Sequence, residues 1–146
     1  MFAQYATIDD VMEGEGRQLV MEQLNATPLY VEAVKALRYK RIGIAVLDDD
    51  GNETSKYASL NGKDGKMVRI IEEFGDEKPD IAVTVKGSVL MEILHHVEWV
   101  KANPLAAFLK YAPRFRPYNR SYIVPLLVKL PRLAHELFVH RHREHG

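Results

Sequence analysis

The residues of this chain best suited to metal binding or proton transfer are six histidines, and their spacing favours neither role. His95 and His96 are adjacent on a predicted helix, where neighbouring side chains point about 100° apart and do not easily share a metal ion. Three more histidines lie near the end of the chain, where arginines between them oppose a cation; these are His140, His142 and His145. We therefore expect no metal site, and a frayed basic tail over residues 139–146.

Acid–base catalysis would need a carboxylate and an imidazole within hydrogen-bonding distance of each other. The neighbours His135 and Glu136, and Glu92 one turn before His95, are explained as well by ordinary pairing on a helix surface. The chain has no cysteine, no Gly-rich phosphate loop and no GxSxG or HExxH motif. The acidic run at residues 48–53 lies between predicted strands, which favours a hairpin loop over a calcium loop. We expect a protein that is not an enzyme and has no cofactor.

A basic aromatic turn offers a different chemistry, the recognition of an anion. Arg114, Phe115 and Arg116 lie between two apolar helical segments. A guanidinium in such a place can bind a carboxylate or phosphate while neighbouring side chains hold an apolar chain. The same residues could instead be the basic rim of a structural turn, and the sequence does not separate the two.

An unusually apolar segment precedes this turn. Ile81, Val83 and Val85 alternate with less apolar residues, which predicts a half-buried strand. From Ser88, which can cap the first turn, the pattern predicts one long helix over residues 88–101. Its apolar residues recur close to one face; they are Val89, Leu90, Ile93, Leu94, Val97 and Val100. A helix of this kind must be buried in a core, against a partner or around a cavity.

The elements that position these residues can be predicted from local signals. Thr7 begins a helix over residues 7–24 that Gly14 and Gly16 weaken, and Thr27 with Pro28 begins a second helix. Strands are predicted at residues 41–47, 53–60, 67–74 and 81–85, joined by three turn-rich links that favour an antiparallel meander with helices on one face. Pro104 begins a short helix, a short edge strand is expected near Phe115, and prolines predict a break near residues 129–130 of a final helical segment.

The totals fit one domain of 146 residues with zero net charge, from 20 basic and 20 acidic residues. Residues 101–146 hold nine basic and two acidic residues, which could attract a carboxylate, a phosphate or an anionic membrane surface, or could be a solvated face. We expect no nucleic-acid partner. The lack of cysteine and of a secretory signal leads us to expect a cytoplasmic protein.

This order of elements resembles the sterol carrier protein type 2 family. The best match runs from Asp80, through the alternating strand and the Leu-rich helix, to Leu94, and the segment Asn103 to Phe108 is similar to the family's following short helix. The resemblance covers residues 30–137. It departs where the family has glycines, at His95–His96 and at residues 114–117. The resemblance implies a lipid-binding α+β fold with helices over one sheet face around an apolar tunnel.

We therefore expect one α+β domain over residues 1–146, with a helical extension at 1–27 and an antiparallel sheet of four to five strands. The expected function is binding or carriage of a fatty acyl, isoprenoid or sterol-like molecule. The expected ligand-binding residues are Leu90, Ile93, Leu94, Val97, Phe108, Arg114, Phe115, Arg116, Leu126, Leu127 and Leu130. The alternative is a protein-interaction or homodimerisation module that uses the same apolar helices, because a cavity and an interface both require an apolar face with a polar rim.

Overall fold

The protein has an α+β fold in a computed structural model that describes residues 1–124 and residue 135. In chain order the elements are α1 (Ile8–Glu13), α2 (Glu15–Asn25), α3 (Pro28–Leu37), β1 (Arg41–Leu47), β2 (Glu53–Asn61), β3 (Met67–Glu72), β4 (Ile81–Lys86), α4 (Gly87–His95), α5 (Val97–Ala102), α6 (Pro104–Tyr111) and β5 (Arg116–Pro117). Single 3-10 turns lie at Ala112–Arg114 and Arg120–Tyr122. Among the described residues, every helix is too short or too polar to cross a membrane.

The five strands form one sheet in the order β3-β2-β1-β4-β5. The α+β class and the number of strands are as predicted, but the all-antiparallel meander is wrong, because β1 and β4 pair in parallel with Ile42 opposite Ile81. The link after β3 crosses the sheet instead of turning back beside it. Phe74 in that link packs against Gly43 of β1. A Cβ added at residue 43 would be 2.8 Å from the Phe74 ring.

Hydrogen bonds fix the end of this crossing at the start of β1. The Asp80 carboxylate accepts from the backbone N–H groups of Lys40 and Arg41, at 2.7 and 3.1 Å. The Arg41 guanidinium donates to the carbonyl oxygen of Phe74 at 2.6 Å. These bonds satisfy backbone groups where β1 begins and explain why the chain enters β4 there.

The sheet has one face toward the helices and a second face, here called the far face. Ile44 and Val46 of β1 and Val85 of β4 pack on the helix side. The far face is built from small residues in one row across three strands, Gly43, Ala58 and Ala82. Phe74 and Tyr118 contribute aromatic rings whose centroids are 5.0 Å apart, and the Lys56 ammonium lies over both rings. Helices α1, α2, α4 and α6 contribute buried side chains to the helix side.

The first predicted helix is two helices, broken at Gly14. Thr7 caps α1 as predicted, since its hydroxyl accepts from the N–H of Asp10 while the Asp10 carboxylate accepts from the N–H of Thr7. Gly16 lets α2 approach α1, because a Cβ there would be 2.6 Å from the carbonyl oxygen of Val11. The N-terminal segment belongs to the core, with Phe2 1% and Val11 0% exposed.

The long helix predicted over residues 88–101 is also two helices, α4 and α5, separated at His96. The N–H of His96 closes α4 by donating to Glu92 and Ile93, and its carbonyl oxygen opens α5 by accepting from Val100. Helix α4 begins at Gly87, one residue earlier than predicted, and Ser88 does not cap it.

Other local predictions are confirmed. Pro28 and Pro104 begin α3 and α6, although the Thr27 hydroxyl donates to the Gln23 carbonyl oxygen instead of capping. The acidic run at residues 48–53 contains a hairpin loop in which the Asp48 carboxylate accepts from two backbone N–H groups. The expected edge strand is β5. The predicted break near residues 129–130 lies outside the described residues.

Candidate apolar ligand site

Two apolar clusters lie between the sheet and the helices. The first cluster has Phe2, Val11, Val46 and Met91 among its buried residues. The second cluster has four buried residues, which are Val85, Val89, Ala107 and Tyr111. Ile44 and Leu90 are only partly buried and pack against both clusters. The apolar layer between the sheet and the helices is thus divided into two parts that meet at these two side chains.

Most of the predicted ligand-binding residues that the structure describes lie at these clusters. Leu90, Leu94 and Val97 pack against the first cluster, and Leu90, Ile93 and Phe115 pack against the second. All five are half-buried. Phe108 is half-buried as well and belongs to neither cluster. The remaining apolar predictions, Leu126, Leu127 and Leu130, lie outside the described residues.

The second cluster contains a polar atom that the sequence did not point to. Tyr111 is 5% exposed, and among the described residues its hydroxyl has no hydrogen-bond partner. Its surroundings in the cluster are aliphatic or aromatic. A buried hydroxyl without a partner destabilises a protein by about 1–3 kcal/mol, and such groups are rare in native structures. The hydroxyl of Tyr111 is therefore the unusual group in this apolar layer.

An open cleft of about 450 Å³ lies beside the first cluster, where α4 ends and α5 begins. Residues 1–3 and 94–99 line it. Leu94, Val97 and the buried Phe2 supply apolar surface, and Trp99 is 40% exposed. This volume lies within the range of roughly 300–1,000 Å³ that small-molecule pockets span. Sequence analysis missed the cleft, because it depends on the helix break at His96 and on the position of the N-terminal segment.

The basic turn does not form the single group that the sequence suggested. Phe115 packs on the second cluster, whereas Arg114 and Arg116 are exposed. In the register of β4 and β5, Arg116 lies opposite Thr84, whose neighbours Val83 and Val85 share the helix face. Because side chains alternate along a strand, Arg116 belongs to the far face and Phe115 to the helix face. Neither arginine lines the cleft, and their role as an anion clamp stays a prediction.

Two tyrosines in the same layer are held as neutral hydroxyls. Burial, together with the adjacent Asp9 carboxylate, raises the pKa of Tyr57 to about 12. The hydroxyls of Tyr57 and Ser55 both donate to Asp9, at 2.6 and 2.7 Å, and tie α1 to β2. Burial raises the pKa of Tyr30 to about 12, against a lowering by a hydrogen bond with Ser59. These groups fix helices to the sheet and supply no base or nucleophile near neutral pH.

Histidines and acids do not converge in the part of the chain that the structure describes. His95 and His96 are both exposed at the cleft. Within residues 1–124 and at residue 135, no three histidine, aspartate or glutamate side chains lie close enough together to hold a metal ion. Chemically, the arrangement offers apolar surface and one hydrogen-bond donor, the Tyr111 hydroxyl, that has no partner among the described residues.

No protein-family model and no curated protein matches the chain. Among solved structures, the chain is similar to a conserved hypothetical protein of Thermus thermophilus described as possibly a sterol carrier protein, with 16% identity, a TM-score of 0.47, and 83% of this chain and 80% of that chain covered. It is similar to sterol carrier protein domain 2 of Helicoverpa armigera, with 24% identity, a TM-score of 0.41, and coverage of 80% and 85%. It is also similar to apo sterol carrier protein 2 of Yarrowia lipolytica, with 12% identity, a TM-score of 0.38, and coverage of 68% and 79%. At these identities and TM-scores, the similarity assigns neither a ligand nor an activity to this chain.

Proposed function

We propose that the protein binds and carries a lipid-like molecule with an apolar body and one polar group, without catalysing a reaction. The observation that carries this proposal is the buried Tyr111 hydroxyl in the second cluster, which has no partner among the described residues. A ligand oxygen that accepts from it would remove the penalty of the unpaired donor. Fatty acyl, isoprenoid and sterol-like molecules all have this combination of a long apolar part and a single polar end.

The apolar body of the ligand has a path along α4. Leu90 and Leu94 lie one turn apart on α4, Val97 follows at the start of α5, and Leu90 connects these residues to the cluster of Tyr111. The four-residue step from Leu90 to Leu94 rises about 6 Å along α4, the length of about five methylenes. Shielding five methylenes from water contributes roughly 4 kcal/mol before ordering is subtracted. In the proposal the ligand enters at the cleft beside Val97, and the half-buried side chains move apart along α4.

The polar end of the ligand decides which compounds bind best. A neutral hydrogen bond contributes about 0.5–1.5 kcal/mol, and one to an ionised group contributes about 1.5–3 kcal/mol. At equal chain length we therefore expect a fatty acid or acyl ester to bind more tightly than an alkane. The Tyr111 hydroxyl can donate a hydrogen bond to the acid or to the matching alcohol, so both should bind more tightly than the matching alkane.

Native mass spectrometry of the purified protein, followed by organic extraction, tests the proposal directly. We expect a bound apolar molecule, or, after delipidation, one-to-one complexes with added fatty acids whose affinity rises with chain length. A clean mass of the protein alone, together with affinity that does not depend on chain length, would contradict the proposal.

A further inference from the structure

The outer side of α5 and α6 combines exposed apolar residues with basic ones. Helix α6 buries one side in the second cluster and presents the other to solvent. The solvent side continues into the turn after α6 with spacings of three and four residues. We call this surface the outer face; it consists of Trp99, Ala106, Leu109, Lys110, Pro113 and Arg114, all exposed.

Two large apolar side chains, Leu109 and Trp99, are exposed to solvent on the outer face. Leu109 is 66% and Trp99 is 40% exposed, and α5 has no buried residue. The Lys110 ammonium lies 5.6 Å from the centroid of the Trp99 ring, which places α5 and α6 side by side in one surface. A tryptophan with a lysine beside it suits a boundary between water and lipid, because both side chains have an apolar body and a polar end.

From residue 101 to residue 124, the charged residues are all basic. Of these five basic residues, Lys110 and Arg114 lie on the outer face. The acid nearest in sequence, Glu98, is paired with Lys101 at 3.3 Å. A second copy of the chain docked through the same face would bring like charges together, which opposes a symmetric dimer. An anionic surface has the complementary charge.

We infer that the outer face docks on the surface of a lipid bilayer that contains anionic lipids, with Leu109 and Trp99 in the headgroup region and Lys110 and Arg114 against lipid phosphates and carboxylates. Helices that lie on a membrane combine these residue types, and each basic residue near an anionic surface strengthens binding about fivefold. This inference concerns an interaction surface and does not rest on the proposed ligand site.

Trp99 is the only tryptophan of the chain, so its fluorescence reports on this face. The protein is mixed with vesicles of phosphatidylcholine, with and without phosphatidylserine, and then sedimented with them. We expect the emission of Trp99 to shift to the blue and the protein to sediment with the anionic vesicles only, with binding weaker at high salt. Sedimentation separates docking from a fluorescence change caused by lipid entering the cleft.

Matched variants locate the docking surface. Lys110→Gln should weaken vesicle binding about fivefold and Leu109→Ser about tenfold. The controls are Lys63→Gln, in an exposed hairpin loop, and Val68→Ser, whose side chain is 69% exposed on β3. We expect the controls to bind as the unaltered protein does. All four positions are exposed, so circular dichroism should show the same fold.

Three results would overturn the inference. The first is no binding to anionic vesicles by the unaltered protein, or equal binding to neutral ones. The second is equal weakening by the control variants. The third is a dimer in sedimentation velocity that Leu109→Ser abolishes while vesicles remain unbound, since that would assign the face to a second copy of the chain.

Discussion

Replacing Tyr111 by phenylalanine removes one buried oxygen and leaves the ring in the second cluster. Because the hydroxyl has no hydrogen-bond partner among the described residues, its removal relieves a desolvation penalty of about 1–3 kcal/mol. We therefore expect Tyr111→Phe to be more stable than the unaltered protein in the absence of ligand. A gain of about 1 kcal/mol corresponds to a Tm higher by roughly 2–4 °C for a chain near this length.

The same substitution should weaken a polar ligand. Loss of a hydrogen bond to a carboxylate, at about 1.5–3 kcal/mol, lowers affinity for a fatty acid by about 13- to 160-fold. Loss of the weaker bond to the matching alcohol lowers affinity by about 2- to 13-fold. The affinity for the matching alkane should not change. Stability and affinity thus move in opposite directions, which a residue that only fills the core does not produce.

Calorimetric unfolding and ligand titration measure both effects, and Tyr57→Phe is the matched control. The Tyr57 hydroxyl donates to Asp9 at 2.6 Å, so its removal should lower stability by about 1.5–3 kcal/mol. If Tyr111→Phe lowered stability as Tyr57→Phe does, the Tyr111 hydroxyl would have a partner in solution. In that case the polar part of the proposed site would be wrong.

Three further predictions test the site and the fold. Leu90→Ala and Leu37→Ala, the latter in the buried side of α3, should each lower the free energy of unfolding by about 2–5 kcal/mol. Only Leu90→Ala should also lower the affinity for a fatty acid in titration. If the two substitutions changed the affinity for a fatty acid equally, Leu90 would not line the ligand path. The folded pKa of Tyr57, at about 12, lies above its ordinary value of 10.0, so its contribution to stability is present below pH 10 and should be lost as the pH rises to about 12 in denaturant titrations. In Tyr57→Phe, the free energy of unfolding should fall less steeply as the pH rises over this range. Gly43→Ala should destabilise the protein by about 1–3 kcal/mol in denaturant unfolding, because its Cβ meets the Phe74 ring; a neutral result would contradict the crossing over the far face.

Helix starts and hairpin loops could be predicted because their signals are local. Pro28 and Pro104 mark the first turns of α3 and α6 through their missing N–H groups, and the structure agrees. The acidic loop between β1 and β2 closes through bonds between Asp48 and its near neighbours in sequence. In each case the atoms that decide the structure lie within a few residues of each other.

The position of β4 could not be predicted in this way. The link before it contains Gly75 and Pro79, the same kinds of residue that a hairpin uses. Its path depends instead on the Phe74 ring against Gly43 and on the bonds from Asp80 to the start of β1, which are contacts far apart in sequence. The break at His96 lacks the proline or glycine that would have indicated it.

The candidate site was predictable only in its apolar part. The stripe of Leu90, Leu94 and Val97 follows from helical spacing, and the structure places these residues together. Tyr111 gave no signal, because a tyrosine on an apolar helix face is ordinary and its lack of a partner is visible only in three dimensions. Phe2 contributes to the cleft from a distant part of the sequence, which spacing cannot reveal.

The parallel pairing of β1 with β4 also sets the order in which the molecule can assemble. The hairpins of β1, β2 and β3 close short loops and can form early, whereas β4 must find β1 after the intervening chain has collapsed. Helices α4–α6 follow β4 and depend on it. We expect native-state hydrogen exchange to show β1 and β2 as the last amides to open and α4–α6 as a less protected unit. The unit of α4–α6, which contains Tyr111, would then open without unfolding the rest, and a molecule as large as a lipid could enter through such an opening.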